Sequence, residues 1–209
     1  MGTNLSTPKT SCFQGIENSS CVVTGATNGL GKASIDYITS LKEFSTIILL
    51  SRNKALSQQV VEELKVKFCN KDYQPFITSV CCDLSNNDSV INASNEIKDI
   101  LKKNKNHGLN LLMNNAGIMF QEAAKASDGT NLIFSTNTRG PWLLTESLLD
   151  TIKKAKQARI VNVSSGLHFA ANTMDYDIHL GQKDNKDLDN QYSTYIYNQS
   201  KLGNVLHAC

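Results

Sequence analysis

The sequence predicts a single α/β domain, and three observations support this prediction. The chain has 209 residues, which is enough for one domain with one hydrophobic core. Short apolar runs alternate with longer segments in which apolar residues recur at helical spacing. The first apolar run, Cys21–Thr24, stops at Gly25, crosses a glycine-rich turn and enters one of these helical segments. A strand, a glycine-rich turn and a helix in this order form the unit that wraps the pyrophosphate of a dinucleotide.

The glycine-rich turn has the spacing T-G-x-x-x-G-x-G. Gly25 permits a tight turn, Gly29 lets the backbone approach phosphate oxygens, and Gly31 lets the helix pack close to the strand. The amino terminus of that helix would face the anion. Because the spacing differs from G-x-G-x-x-G, an accidental glycine-rich turn is the alternative when these residues are taken alone. The candidate cofactor-binding residues here are Thr24, Gly25, Asn28, Gly29, Leu30 and Gly31.

Charge, hydropathy and cysteine spacing argue against several classes of protein. Lys and Arg number 21 against 19 acidic residues, so the chain has no basic field that would attract nucleic acid. No apolar run approaches the ~18 residues of a membrane span. The six cysteines show no C-x-x-C spacing, and we expect reduced thiols in a cytosolic protein without a secretory signal.

The polar residues 1–19 predict a loose arm that precedes a cofactor-binding and catalytic domain over residues 20–209. The arm has Gly2 and Ser6 at the positions of the N-myristoylation pattern, and a chance match is the alternative. One acyl chain, with Lys9 as the only nearby base, would give weak and reversible membrane association. The cytosol therefore remains the default location.

The second predicted strand, Thr46–Leu50, is a continuous apolar run, as expected for a strand that is covered on both faces. It ends at Ser51, Arg52 and Asn53. At this position an acidic residue binds a ribose hydroxyl of NAD(H), whereas a basic residue accepts the 2′-phosphate of NADP(H). Arg52, with Ser51 beside it, therefore favours NADP(H). If Arg52 is only a solvated residue at a strand end, NAD(H) is the alternative cofactor.

Two further buried strands are predicted over residues 76–82 and 109–113, with helices over 33–41, 56–68 and 88–103. The first of these strands is followed by an aspartate and a leucine that would lie beside an adenine. Small residues after the second let the backbone approach a ligand, although a plain turn fits them as well. The candidate cofactor-binding residues at these two strand ends are Asp83, Leu84, Asn115, Ala116 and Gly117.

The last third of the chain predicts helical sequence over residues 132–154 and a strand over 159–163. Tyr197 and Lys201 are four residues apart and lie on one face of a helix. Residues 166–194 are polar, and we expect a solvated loop there. The histidines and aspartates of this loop match no metal-ligand spacing, so we expect no metal site. They are His168, Asp175, Asp177, His179 and Asp184.

The motifs follow one another in the order T-G-A-T-N-G-L-G, D-L, N-N-A-G, N-x-x-G, I-V-N-V-S-S and Y-x-x-x-K. In this order the chain resembles the short-chain dehydrogenase/reductase family, from about residue 18 onward. The stretches N-N-A-G-I-M and Y-N-Q-S-K-L-G-N-V-L are similar to the retinol dehydrogenase and WW-domain oxidoreductase-like branch. The resemblance implies a doubly wound parallel sheet (Rossmann fold) that binds its cofactor at the carboxyl ends of the strands, where the strand order reverses.

The resemblance also implies roles for particular residues. Tyr197 would be the general acid/base, and Lys201 together with the charge of the nicotinamide would stabilise its phenolate. Lys201 would also bind the nicotinamide ribose. Ser165, the second serine of the family's pair, is preferred over Ser164 for holding and polarising the substrate carbonyl. Asn137 would hold a water that links Lys201 to solvent.

The implied activity is the interconversion of a carbonyl and an alcohol on an apolar, retinoid-, steroid- or lipid-like substrate, with NADP(H) preferred. A homodimer is implied for a full-length form. An NAD-linked alcohol dehydrogenase is a second enzyme interpretation. The alternative from a different class is a catalytically inactive truncated isoform or fragment that binds only nucleotide or a partner.

One feature departs from the family pattern. Such proteins continue past the Tyr–Lys helix with two more strands and the substrate-capping region, whereas this chain stops at Cys209. The implied fold therefore lacks those elements, and the strand over residues 159–163 would become an uncovered apolar edge. We expect the 209-residue chain alone to be insoluble or molten and without turnover, and a full-length form to be a soluble reductase.

Overall fold

Strand β1 (Ser20–Thr24) lies at the centre of a five-stranded parallel sheet in a computed structural model of the chain. The order of the strands in the sheet is β3-β2-β1-β4-β5. The remaining strands are β2 (Thr46–Ser51), β3 (Phe76–Cys81), β4 (Leu111–Asn114) and β5 (Arg159–Asn162). The structure describes residues 13, 15–106, 108–119, 124–182 and 192–208.

The strand order reverses at β1. The chain moves outward from β1 through β2 to β3, and then returns to the other side of β1 to form β4 and β5. Val22 in β1 therefore lies opposite both Ile48 in β2 and Leu112 in β4. In open α/β sheets, ligands bind at the carboxyl ends of the strands at such a reversal. The predicted doubly wound parallel sheet is confirmed.

Helices cover both faces of the sheet. They are α1 (Gly29–Ser40), α2 (Lys54–Phe68), α3 (Asn87–Lys103), α4 (Leu132–Phe134), α5 (Gly140–Lys153), α6 (Tyr176–His179) and α7 (Tyr192–Leu206). Successive residues of a strand point to opposite faces. Val22 and Ile48 accordingly pack in one core cluster with α3 and α5, whereas Cys21 and Val23 pack in another with α1 and α2.

Part of the segment before β1 packs on the domain. The Phe13 ring is 7% exposed, and its centroid lies 5.2 Å from that of the Phe44 ring. Ile16 packs against the same cluster, and Ser19 is buried. The expectation of a loose arm is wrong for these residues, because Phe13 is covered by the apolar side chain of Phe44. Gly2 and the predicted acylation pattern lie outside the described residues.

The helical sequence over residues 132–154 contains a π-helical turn, Ser135–Arg139, between α4 and α5. Pro141 has no N–H, so the carbonyl of Asn137, four residues earlier, has no α-helical donor. The Gly140 N–H donates to the carbonyl of Ser135, five residues back. The sequence prediction contained no such turn. A π-helical turn inside a helix is frequent at functional sites.

Residues 166–182 are folded. A 3₁₀-helix spans Gly166–Ala170 and α6 follows it, and Ile178 and His179 are buried. The expectation of a solvated loop is therefore wrong for His179. Within the ranges that the structure describes, no three His, Cys, Asp or Glu side chains are placed to hold a metal ion. Asp184 lies outside those ranges.

Strand β5 forms one edge of the described sheet. Ile160 and Val161 are 39% and 42% exposed, so this apolar strand is uncovered as expected. An exposed β-branched edge favours association with other strands. The insolubility of the isolated chain stays a prediction. Among the helices that the structure describes, none is both long and apolar enough to cross a bilayer.

Candidate active site

A cavity of about 590 Å³ lies at the carboxyl ends of the strands, where their order reverses. Its walls are formed by the turn after β1, the end of β2, the residues after β3 and the turn after β4. Most of the residues predicted to bind a cofactor therefore meet in one place. Those that line the cavity are Gly25, Asn28, Gly29, Leu30, Gly31, Ser51, Arg52, Leu84, Asn115, Ala116 and Gly117.

The glycines of the first turn have different functions. Gly25 and Gly29 have φ angles of +66° and +53°, which glycine adopts without strain. A Cβ on Gly31 would lie 2.1 Å from the carbonyl oxygen of Gly25, so only glycine lets α1 begin this close to β1. A Cβ on Gly29 would meet no atom within 4 Å. This free space at the start of α1 fits a pyrophosphate that approaches the helix amino terminus.

Thr24 organises the site without lining the cavity. Its side chain is buried, and its Oγ1 accepts hydrogen bonds from the backbone N–H groups of Asn115 (3.0 Å) and Ala116 (2.9 Å). The Asn115 side-chain amide donates back to the Thr24 carbonyl at 3.0 Å. These bonds hold the turn after β4 against the end of β1. Thr24 therefore positions Asn115 and Ala116, which line the cavity, without lining it itself.

Arg52 is exposed at the mouth of the cavity. The side chains beside it accept hydrogen bonds from the backbone. Asn53 Oδ1 accepts from the Leu56 N–H at the start of α2, and Ser51 Oγ accepts from the Asn53 N–H. No carboxylate in the described part of the chain forms a salt bridge with Arg52. Its guanidinium is thus available for charge-assisted hydrogen bonds to an anion.

The side chain of Asp83 is engaged outside this cavity. Its Oδ1 accepts hydrogen bonds from the N–H (2.9 Å) and the hydroxyl (2.7 Å) of Ser85. The residues on either side of it, Cys82 and Leu84, line the cavity. Of the two residues predicted beside the adenine, only Leu84 is brought to the cavity wall.

Tyr197 and Lys201 are one turn apart on α7. The Lys201 Nζ lies 5.5 Å from the centroid of the Tyr197 ring and donates a hydrogen bond to the Val163 carbonyl at 3.0 Å. Lys201 is 4% exposed, and this burial lowers the pKa of its ammonium group because the charged form loses water. A Cβ on Gly117 would lie 3.3 Å from the Nζ. Lys201 therefore lies close to Gly117, which lines the cavity, whereas Lys201 and Tyr197 themselves do not line it.

Asn137 holds together three parts of the site. Its Oδ1 accepts from the Ile118 N–H and its Nδ2 donates to the Ile118 carbonyl, both at 2.8 Å, and Nδ2 also donates to Ser200 Oγ at 3.0 Å. The π-helical turn, the turn after β4 and α7 are joined by these bonds. The side chain of Asn137 is thus fully engaged, and the water predicted at this residue stays a prediction.

The two serines after β5 differ in their partners. The Ser164 hydroxyl donates to the Lys201 carbonyl at 2.8 Å, which fixes it to α7. The Ser165 Oγ accepts from the Leu167 N–H at 3.3 Å, so its hydroxyl proton is left for donation. This difference favours Ser165 as the residue that binds a carbonyl, and its role stays a prediction.

Two residues without a predicted role, Thr136 and Cys82, also line the cavity. Thr136 lines the cavity and is 5% exposed, yet its Oγ1 has no hydrogen-bond partner among the described residues. Cys82 also lines the cavity, and burial raises the pKa of its thiol to about 12, so the thiol is protonated near neutral pH. In the sequence, the only indication that Thr136 belongs to the site is its position directly before Asn137. An unpaired buried hydroxyl in the wall fits a site that binds a polar ligand.

Comparisons with known proteins place these features in a family context. The profile of the family described as short chain dehydrogenase matches residues 19–174, which is more than half of the chain. Polyprenol dehydrogenase of Homo sapiens is 32% identical over 190 residues, which cover 88% of this chain and 52% of that protein. Retinol dehydrogenase 12 of Mus musculus is 29% identical over 185 residues, which cover 88% of this chain and 53% of that protein.

A solved structure is similar as well. The NADPH bound carbonyl reductase from chicken fatty liver has a TM-score of 0.62 at 26% identity, over 90% of this chain and 70% of that chain. The chain spans about half the length of the curated relatives it matches.

Proposed function

Because this chain belongs to the short-chain dehydrogenase family, we propose that it interconverts a carbonyl and an alcohol on an apolar substrate and prefers NADP(H). One observation carries the proposal. Lys201, with Tyr197 one turn before it, and Asn137 both lie close to Gly117, which lines a cavity whose glycine-rich end fits a pyrophosphate. This arrangement supports a proton-transferring role for the Tyr197 and Lys201 pair.

Tyr197 is the proposed general acid/base. A bound NADP(H) would supply the hydride (one proton with two electrons) for the carbonyl carbon in reduction and would accept it in oxidation. In the direction of reduction, the Tyr197 hydroxyl would give its proton to the carbonyl oxygen, which stays bound to the carbon as the hydroxyl group of the alcohol. In oxidation the phenolate takes the alcohol proton.

Lys201 is the proposed partner of Tyr197 in proton transfer. A phenol is a weak acid near neutral pH, and an ammonium group near its ring stabilises the phenolate. The Val163 carbonyl holds the ammonium in place. Asn204 also donates to this carbonyl, at 3.2 Å, so the end of β5 is bound to α7 at two points. These bonds fix the position of the Lys201 Nζ, which lies 5.5 Å from the centroid of the tyrosine ring.

Ser165 is the proposed substrate-binding hydroxyl. It donates to the substrate carbonyl oxygen and draws electron density from the carbon. Leu167 and Phe169 follow it closely and are exposed, which gives an apolar surface beside the polar group. The names of the relatives above refer to polyprenol and retinol, two apolar alcohols. Both observations support an apolar substrate for this chain.

Arg52 is the proposed determinant of cofactor preference. A guanidinium at the end of β2 forms charge-assisted hydrogen bonds to a 2′-phosphate, worth roughly 1.5–3 kcal/mol. In the natural full-length protein, Arg52→Ala should weaken NADPH binding about ten- to hundredfold and leave NADH binding little changed. Titration of each cofactor by fluorescence measures both affinities.

Lys54→Ala is the matched control, because Lys54 is an exposed cation two residues away that does not line the cavity. It should change neither affinity. Equal losses of NADPH and NADH affinity in Arg52→Ala would show that Arg52 does not read the 2′-phosphate.

The proposed location is the cytosol, with reversible membrane association if Gly2 is acylated. A single acyl chain gives only marginal membrane binding, so the acylated protein should be found in both the soluble and the membrane fractions of fractionated cells. Gly2→Ala should move it wholly to the soluble fraction of fractionated cells. An unmodified amino terminus in mass spectra of the protein from cells would exclude the acyl group.

A further inference from the structure

The side chain of Gln199 binds the turn that contains α6 to α7, the helix that carries Tyr197 and Lys201. Gln199 lies on α7 between Tyr197 and Lys201 and is 1% exposed. Its Oε1 accepts two hydrogen bonds, from the Asp175 N–H at 2.8 Å and from His179 Nε2 at 2.7 Å. The same amide oxygen therefore holds both ends of the short helix.

The two bonds fix the orientation of both side chains. The backbone N–H of Asp175 requires an acceptor, so the Gln199 amide must present its oxygen and not its NH₂ group. His179 must then donate from Nε2, which leaves Nδ1 unprotonated in the neutral ring. Nδ1 is buried and has no partner among the described residues. Burial accordingly lowers the pKa of His179, because an imidazolium would lose its water.

His179 also contacts α4, the short helix that precedes the π-helical turn containing Asn137. Its ring stacks on Phe134 in α4, with centroids 4.3 Å apart and planes at 16°. Its carbonyl accepts from the Asn131 N–H at 2.9 Å. A Cβ on Gly181 would lie 2.1 Å from the Gly129 carbonyl oxygen, so the turn also fits closely against the segment before α4. His179 thus joins α6, α4 and α7.

We propose that Gln199 and His179 are positioning residues, which hold the segment between Ser165 and α6 against the turn of α7 that carries Tyr197 and Lys201. The proposal rests on the proposed function, since this segment contains the apolar surface assigned to the substrate. Neither residue lines the dinucleotide cavity. The pair therefore orients the substrate side of the site and leaves cofactor binding unaffected.

The test compares three variants of the natural full-length protein. Gln199→Met removes the acceptor at similar size, His179→Phe keeps a ring on Phe134 and removes the donor, and Gln199→Glu keeps an acceptor. For Gln199→Met and His179→Phe, kcat/KM for an apolar aldehyde should fall about ten- to hundredfold, since small misplacements near reacting groups have effects of this size. The Kd for NADPH should be unchanged, and Gln199→Glu should retain most of the activity.

Hydrogen exchange of the Asp175 amide gives a readout that does not depend on turnover. The exchange should accelerate in Gln199→Met and stay slow in Gln199→Glu. Gln58→Met is the matched control, because Gln58 is exposed on α2, and it should change neither exchange nor kinetics.

Two results would overturn the proposal. One is slow exchange of the Asp175 amide in Gln199→Met. The other is fast exchange with kcat/KM at the unaltered level in both Gln199→Met and His179→Phe. Absence of turnover in the unaltered protein would instead overturn the proposed function. This outcome is distinguishable because it is observed before any variant is made.

Discussion

Tyr197→Phe should remove nearly all turnover and leave NADPH binding intact. The substitution deletes one hydroxyl and keeps the ring, so the contact with the Lys201 ammonium is retained. A general acid contributes about 10²–10⁴-fold to the rate, and the variant has no other group at this position to supply the proton. Steady-state kinetics with an apolar aldehyde, together with an NADPH titration, measures both effects in the natural full-length protein.

Tyr195→Phe is the matched control. Tyr195 lies on the same helix, packs against the same small cluster around Ile133 and Ile196, and is two residues from the proposed acid. It should keep the rate of the unaltered protein. If Tyr197→Phe retained more than about a tenth of the rate, Tyr197 could not be the general acid.

Gly31→Ala should destabilise the domain and abolish cofactor binding. The new Cβ would lie 2.1 Å from the Gly25 carbonyl oxygen and 2.5 Å from the Asn115 Nδ2. The first of these atoms belongs to the backbone, so relief requires α1 to move away from β1. Overpacking of this kind costs about 1–3 kcal/mol and occasionally more, which is a large part of the ~5–15 kcal/mol that stabilises a domain. Urea unfolding measures the loss in the free energy of unfolding.

Gly166→Ala is the corresponding control for stability, because a Cβ on Gly166 would meet nothing within 4 Å. It should unfold at the same urea concentration as the unaltered protein. An unchanged midpoint for Gly31→Ala would mean that α1 is not held against β1 as closely as the structure shows.

The sheet could be predicted from the sequence because its central strands are buried on both faces. Thr46–Leu50 is a continuous apolar run, which is typical of a parallel strand that is covered on both faces. The strand order could not be derived from such runs, since they do not state which strands are neighbours. The resemblance of the ordered motifs to a family implied a doubly wound sheet, and the structure supplied the order β3-β2-β1-β4-β5.

The burial of His179 escaped prediction because it depends on contacts between residues that are distant in the sequence. His179 is buried because Phe134 and Gln199 cover it from two other helices. The polar segment around it contains no pattern that predicts this burial. The side chain of Asp83 is taken by Ser85, two residues away, so its position after a strand did not bring it into the cavity. Glycines and strand ends were found more reliably, because their role depends on the backbone nearby.

The transfer of deuterium from cofactor to substrate tests the proposed function most directly. The natural full-length protein is incubated with NADPH carrying deuterium at both nicotinamide C4 positions and with an apolar aldehyde, and the alcohol is analysed by mass spectrometry. The proposed oxidoreductase should yield alcohol with one deuterium on the former carbonyl carbon, and Tyr197→Phe should yield almost none. Saturable NADPH binding with no deuterium in the alcohol would contradict the proposed function and leave a nucleotide-binding protein without this chemistry.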